Sequence, residues 1–281
     1  MIMRNKFCLL ILLVSMLPMS VMAEDYEYHP ILSDAFTVDL GVMISSNSFD
    51  ISANSSDSDL GGKEIDFDTA LGVDSSDAFF DGQVRWKFGH EGKWSLWGQY
   101  FSNKATGSAT LQEDVTWLDT TFREGSFVQA GTEMAVTRLF FGRSLYKNAQ
   151  NDFGVGIGIH NLALDAYIEG EVDTNDGSTG LQKLSVGESQ ILPNIGTWYN
   201  YSPARRWLLH GRVDWISANV GDYDGHLWNA TAGVNFQAWR HVGFDLSWQY
   251  FNLDVNVDTD NWNGSVSTTY SGPVASVSFA W

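Results

Sequence analysis

The sequence predicts an all-β chain: a transmembrane, antiparallel, up-and-down β-barrel of about ten strands, with eight and twelve as the neighbouring counts, preceded by a cleaved signal peptide. Three observations predict it. The chain opens on an export signal. No later apolar stretch reaches the roughly 20 residues that a helix needs to cross a bilayer. Several segments of spanning length alternate strictly between apolar and polar side chains, the period of a strand with two different faces.

The export signal comes first. Arg4 and Lys6 precede an apolar run from Phe7 to Leu17, followed by Pro18 and the small-residue site Val21-Met22-Ala23. Cleavage after Ala23 divides the chain into a signal peptide (1–23), a short periplasmic segment (24–34) and a barrel (35–281). The only cysteine, Cys8, leaves with the signal. The mature chain then has no disulfide, thiol nucleophile or Cys-ligated metal.

Strands follow in order. Phe36, Val38, Leu40, Val42 and Ile44 share one face against Asp39 and Gly41. Phe80, Gly82, Val84, Trp86 and Phe88 oppose Asp81, Gln83, Arg85 and Lys87. Trp207, Leu209, Gly211, Val213 and Trp215 oppose His210, Arg212 and Asp214. Ten such segments are expected at about 35–45, 78–88, 92–103, 128–146, 152–169, 189–202, 206–217, 226–239, 241–254 and 271–281. In 128–146, Arg138 and Arg143 differ in parity, and near His160 and Asn161 the apolar parity slips, which suggests a bulge. Short connections alternate with long ones (46–77, 104–127, 170–188, 218–225 and 255–270), as in barrels of the Gram-negative outer membrane.

Aromatic residues gather at both strand ends, the positions of two interfacial girdles. Trp86, Phe88, Trp94, Tyr146, Trp207 and Trp239 lie near the short turns; Tyr100, Phe101, Tyr167, Trp215, Trp228 and Tyr250 lie near the long loops. The chain ends Ala275, Val277, Phe279, Trp281. Val277, Phe279 and Trp281 resemble the terminal strand signal by which outer-membrane barrels are recognised for insertion, with Trp where Phe is more usual. That likeness implies handling by periplasmic chaperones and the barrel-assembly machinery.

With these residues in view, the mature chain is similar to bacterial outer-membrane β-barrel proteins, and more narrowly to a group of such barrels without an assigned activity. The narrower likeness rests on Ile65-Asp66-Phe67-Asp68 with Leu71-Gly72-Val73-Asp74, Gln99-Tyr100-Phe101, Tyr223-Asp224-Gly225 and Phe251-Asn252-Leu253-Asp254-Val255. It implies a fold and no reaction.

Charge sets limits on function. With 34 acidic and 16 basic residues and a formal net charge of −18, the surface repels nucleic acid. The inward face carries Asp39, Asp81, Asp214 and Asp245 against Arg85, Lys87, Arg138 and Arg212, a balanced set expected to form an ion-pair network across a plugged lumen. About ten strands leave a lumen that side chains fill, whereas open porins use roughly 16–18. The long loops are acidic, and Ile65, Phe67, Leu71 and Val73 in the first are apolar enough to fold over or into the barrel mouth.

Clustered carboxylates at Asp173/Asp176 and Asp258/Asp260 are the candidate sites for Ca²⁺ or Mg²⁺. None keeps the spacing of a calcium loop, so no cofactor or metal is assigned. Asp222, Asp224 and His226 are the candidate catalytic set, a carboxylate–His arrangement at the outer rim that resembles omptin proteases only in architecture and in having rim acids with a His. The expected protein is a monomer in contact with outer-membrane lipid and lipopolysaccharide, with a structural or surface-binding role. A narrow channel for small solutes is the first alternative, and an omptin-like or lipid-modifying surface hydrolase the second.

Overall fold

Alternating sequence becomes paired strand along nearly the whole chain. The computed structural model describes residues 28–55, 65–73, 76–118, 120–173, 179–220, 223–258 and 262–281. The signal peptide, Asp176, Asp222 and Asp260 lie outside them. A single-turn helix, α1 (Pro30–Ser33), comes first. The strands are β1 (Phe36–Ser55), β2 (Ile65–Asp66), β3 (Ser76–Phe88), β4 (Trp94–Thr110), β5 (Val115–Trp117), β6 (Thr120–Phe122), β7 (Phe127–Lys147), β8 (Asn151–Asp173), β9 (Thr179–Ala204), β10 (Trp207–Val220), β11 (Tyr223–Gln237), β12 (Val242–Asp258) and β13 (Trp262–Ala280).

Ten of these strands close a barrel in the order β1-β3-β4-β7-β8-β9-β10-β11-β12-β13, with β13 returning to pair with β1. Closure leaves no sheet edge in the membrane-spanning part, where unpaired backbone groups cost several kcal/mol each. β2 is an extra short strand on the upper part of β1, and β5 with β6 forms a separate hairpin. No helix among the described residues is long and apolar enough to cross a membrane; the strands do the crossing.

Most of the expected long loops prove to be strand. β8 and β9 run 23 and 26 residues, beyond the 9–11 or so that span a bilayer. Their upper halves therefore stand outside the membrane. This explains the parity slip at His160 and Asn161, where the register of β8 against β7 and β9 is unbroken. What changes there is the apolar side: Ile157 and Ile159 face lipid, whereas Leu162, Ala166 and Ile168 face inward and are buried. Above the membrane water replaces lipid outside, so the apolar residues move to the interior. The actual bulge lies lower, between Ser144 and Tyr146. It does not account for Arg138 and Arg143: one faces the lumen, and the other faces out and covers the Trp94 ring at 5.2 Å.

The outward rings form the two girdles, with one correction. Trp86, Trp94, Tyr146, Trp207 and Trp239 at one end, and Tyr100, Trp215, Trp228 and Tyr250 at the other, are exposed. Phe101 instead points inward, 2 % exposed, because it follows Tyr100 on an alternating strand.

Two ladders stop early. β3 and β4 pair only as far as Asp81↔Phe101. The wedge above is filled by residues 65–73: Ile65 and Asp66 pair with β1, and Val73 bridges to Gly107. A side chain at Gly107 would fall 2.0 Å from the Gly72 carbonyl oxygen, so only glycine admits this approach. β9 and β10 pair only as far as Trp215↔Ile195. Two residues above Ile195 is Pro193, which has no N–H to give a ladder.

Candidate functional site: the lumen

The interior is stacked in layers from the periplasmic end outward. The first is the segment at residues 29–34, expected to lie outside the barrel but tucked into its mouth. Ile31 and Leu32 are buried against Leu208. Arg85 Nη2 donates to the Ile31 carbonyl at 2.6 Å, and Lys87 Nζ donates to the Ile31 and Leu32 carbonyls at 2.8 Å each. Arg240 grips Asp34 through contacts of 2.6 and 3.0 Å. His29 caps the turn, its Nδ1 accepting from Ile31 N–H at 3.3 Å. Burial first, then Arg85 and Lys87, lower the His29 pKa to about 4, so the ring is neutral at pH 7.

The second layer is polar. Arg138 and Asp214 meet at 2.7 Å, Arg212 Nε lies 3.4 Å from Asp214, and His210 lies 2.8 Å from Asp245. Arg212 also donates to Gln83 at 2.7 Å and Gln99 at 2.6 Å. Those amides donate onward to Asp39 at 3.3 Å and Asp81 at 2.9 Å. All eight sequence-predicted lumen residues thus face inward, but they are not one ion-pair network. Among the described residues the direct pairs are those at Asp214 and Asp245. Asp39 and Asp81 are reached through Gln side chains, and Arg85 and Lys87 spend their protons on α1 carbonyls. Parity places a side chain on a face; it does not say which partner lies across the lumen.

Between α1 and this network is a cavity of about 90 Å³ lined by Asp39, Arg85, Trp97, Asn200, His210 and Arg212 among others. Its volume suits a few waters and no larger solute. Trp97 Nε1, Asn200 Nδ2 and Gln249 Nε2 are buried donors with no protein partner among the described residues. Trp198 and Phe140 cross the lumen beside it with rings 6.1 Å apart, and Trp198 fits because a glycine, Gly154, stands where any Cβ would lie 2.2 Å from its ring.

The outer layers are apolar. Met43, Phe79, Phe101, Met134, Leu227, Phe251 and Tyr270 fill the barrel above the polar layer. Above them Phe49, Ile51, Phe67, Leu71, Trp117, Phe122 and Ile168 form a second core. Ile65, Phe67, Leu71 and Val73 of the first loop are all buried, Phe67 against Phe49 and Trp117 at 5.5 and 5.6 Å. At the base of this loop Asp66 accepts from Asp68 N–H, Thr69 N–H and the Thr69 hydroxyl. Slight burial opposes its ionisation, and these three donors outweigh it and lower its pKa.

The rim candidates are placed differently. Asp224 and His226 share one face of β11, and the register sets Asp254 of β12 opposite His226. Leu227 between them and Trp228 is the inward residue, so Asp224 and His226 face the outside of the wall and not its mouth. Asp258 ends β12 exposed, and Asp173 ends β8. No group of three or more His, Cys, Asp or Glu suited to a metal occurs among the described residues. The residues that reading the sequence missed are His29, Ile31 and Leu32. The apolar Pro-Ile-Leu run just before the first strand was the available signal.

No family model and no curated protein sequence matches the chain. Solved structures do. The outer membrane protease OmpT from Escherichia coli aligns with a TM-score of 0.58 at 9% identity, covering 92% of this chain and 99% of that one. The Pseudomonas putida toluene transporter TodX aligns with a TM-score of 0.38 at 8% identity over 90% and 92% of the two chains. Ail, the attachment invasion locus protein of Yersinia pestis, aligns with a TM-score of 0.31 at 7% identity over 86% and 99%. At such identities the likeness to OmpT is one of fold. The closed ten-strand wall and its two outward aromatic girdles give this chain the fold of an outer-membrane β-barrel.

Proposed function

We propose that the protein is a closed, non-enzymatic envelope barrel that acts through the surface it raises above the membrane, in a structural or surface-binding role. The observation that carries this reading is the filled interior: a pinned segment at the periplasmic mouth, then a hydrogen-bonded polar layer, then two apolar cores. A pathway for solutes would have to displace all of them. The tall extramembranous wall, by contrast, is a large scaffold with no transport role to explain it. The barrel works as a monomer in outer-membrane lipid and lipopolysaccharide, needs no metal or other cofactor, and reaches the membrane through periplasmic chaperones and the barrel-assembly machinery.

The test is single-channel recording on the folded protein in a planar bilayer. A silent bilayer is expected. Stable discrete steps would make a narrow channel the function instead. A hydrolase reading would rest on Asp224 and His226, and hydrolysis of a peptide or lipid substrate that is lost in both Asp224→Ala and His226→Ala would establish it against the present proposal.

A further inference from the structure

We propose that the upper edge of β9, over residues 180–187, is a strand-addition site for an extended, basic peptide segment of a surface partner. This deepens the surface-binding reading and rests on it. Above Trp215↔Ile195, β9 carries no β10 pairing among the described residues, while its other edge stays paired to β8 up to Asp173↔Thr179. A long sheet edge outside the membrane is a template for another strand.

The barrel shows in cis how such a wedge is closed. Where β3 and β4 part, residues 65–73 enter, pair with β1, bridge to β4 and bury Phe67 and Leu71. At the β9–β10 wedge no described segment does the same. The side chains register its effect: the inward residues Leu162, Ala166 and Ile168 of β8 are buried, whereas the inward Gln182 and Leu184 of β9 remain partly exposed. Leu184 and Val186 border the outer apolar core, so a strand laid beside them would extend that core with every second side chain. On the outer face Leu181 is 69 % exposed, an apolar side chain in water above the membrane.

These features specify the partner. It is extended, with apolar residues at alternate positions to meet Leu184 and Val186. Its remaining positions face water beside the outer face of the β8–β9 hairpin, where Asp165, Glu169 and Glu171 of β8 stand opposite Gly187, Lys183 and Leu181 of β9, three acids against one base, so basic side chains suit them.

The experiment is amide hydrogen exchange on the intact barrel in micelles, alone and with three nine-residue probes: alternating Val and Lys, the same peptide N-methylated at alternate backbone nitrogens, and alternating Val and Glu. In the free protein, alternate amides within 180–187 should exchange at least about ten-fold faster than the neighbours bonded to β8. The Val/Lys peptide should slow those amides at least ten-fold. Amides already slow in the free protein, or unchanged by the Val/Lys peptide, overturn the site. Equal protection by the N-methylated peptide overturns strand addition, and equal protection by the Val/Glu peptide overturns the assignment of a basic partner. Failure of the closed-barrel reading is distinguishable, since it appears as conductance and not as exchange.

Discussion

Arg138 on β7 and Asp214 on β10 hold one another across the lumen through two contacts of 2.7 Å, both side chains fully buried. The two strands lie three apart in the ten-strand wall, so this pair ties non-neighbouring parts of it together at mid-barrel. Arg138 also lies over the Phe140 ring at 4.4 Å. Removing Asp214 leaves the buried charge of Arg138 uncompensated, so Asp214→Asn should lower the unfolding free energy from urea titration of the folded barrel in micelles by about 3–5 kcal/mol. Arg138→Met should cost less, because Arg212 still faces Asp214 at 3.4 Å. The double variant should lose less than the two single losses combined. Additive losses would show that the pair is not coupled.

The two seals act in series. Arg240→Ala removes the bidentate hold on Asp34 and loosens α1 at the periplasmic mouth. Because the apolar layers lie above and are untouched, the bilayer should stay silent. Conductance steps in this variant would mean that α1 alone closes the barrel.

Acid should loosen α1. Neutral His29 accepts from Ile31 N–H, and its proton-bound form cannot. Its folded pKa is about 4 against 6.5 unfolded, so the unfolded state binds more protons between these values. The stabilisation is complete above about pH 6.5 and is lost as pH falls towards 4. At pH 5 the loss amounts to about 2 kcal/mol. In the chain without its first 23 residues, Leu32→Cys gives a single thiol. Its labelling rate, normalised to free cysteine, should rise at least ten-fold from pH 7 to pH 5. With His29→Gln added, the rise should vanish.

Phe67 holds the first loop in the outer mouth. It is fully buried against Phe49 and Trp117, and a truncation of this size costs about 3–5 kcal/mol. Phe67→Ala should expose residues 65–73 to limited proteolysis while the heat-modifiable gel mobility of the folded barrel persists. Unchanged proteolysis would show that the loop is held by its backbone pairing alone.

Trp281 helps close the barrel. Phe36 N–H donates to the Trp281 carbonyl at 2.9 Å, Trp281 N–H returns a bond at 3.1 Å, and the rings stack 6.0 Å apart. Trp281→Ala keeps the backbone bonds and loses the ring, which is worth about 0.5–1.5 kcal/mol beyond its buried area. Assembly into outer membranes, followed by gel mobility, should slow in Trp281→Ala and recover in Trp281→Phe.

The fold was legible because a barrel wall is written in a local code. Side chains two apart share a face, and lipid demands apolar residues on one of them, so Phe80 to Phe88 and Trp207 to Trp215 each declare a spanning strand from a short window. The same code misled where the solvent changed. At His160 the apolar side crosses from outside to inside without any break in β8, and a reader who assumes lipid throughout sees a bulge. Phe101 is a different case: its place beside the outward Tyr100 on an alternating strand already puts it inward.

The sequence by itself determined the barrel class, the places of the spanning strands with a count of about ten between eight and twelve, and the inward face of the eight charged lumen residues, because each depends on neighbours in the chain. Tertiary structure alone decided who meets whom across the lumen. Arg138 finds Asp214 at a separation of 76 residues, while Arg85 and Lys87 find α1 carbonyls in place of carboxylates. It also decided that residues 29–34 seal the periplasmic mouth, which partners hold residues 65–73 in the outer mouth where the sequence places them, and that β9 and β10 part above Ile195. Such contacts depend on closure, which brings distant side chains within a few ångströms and leaves no trace in the period of the chain.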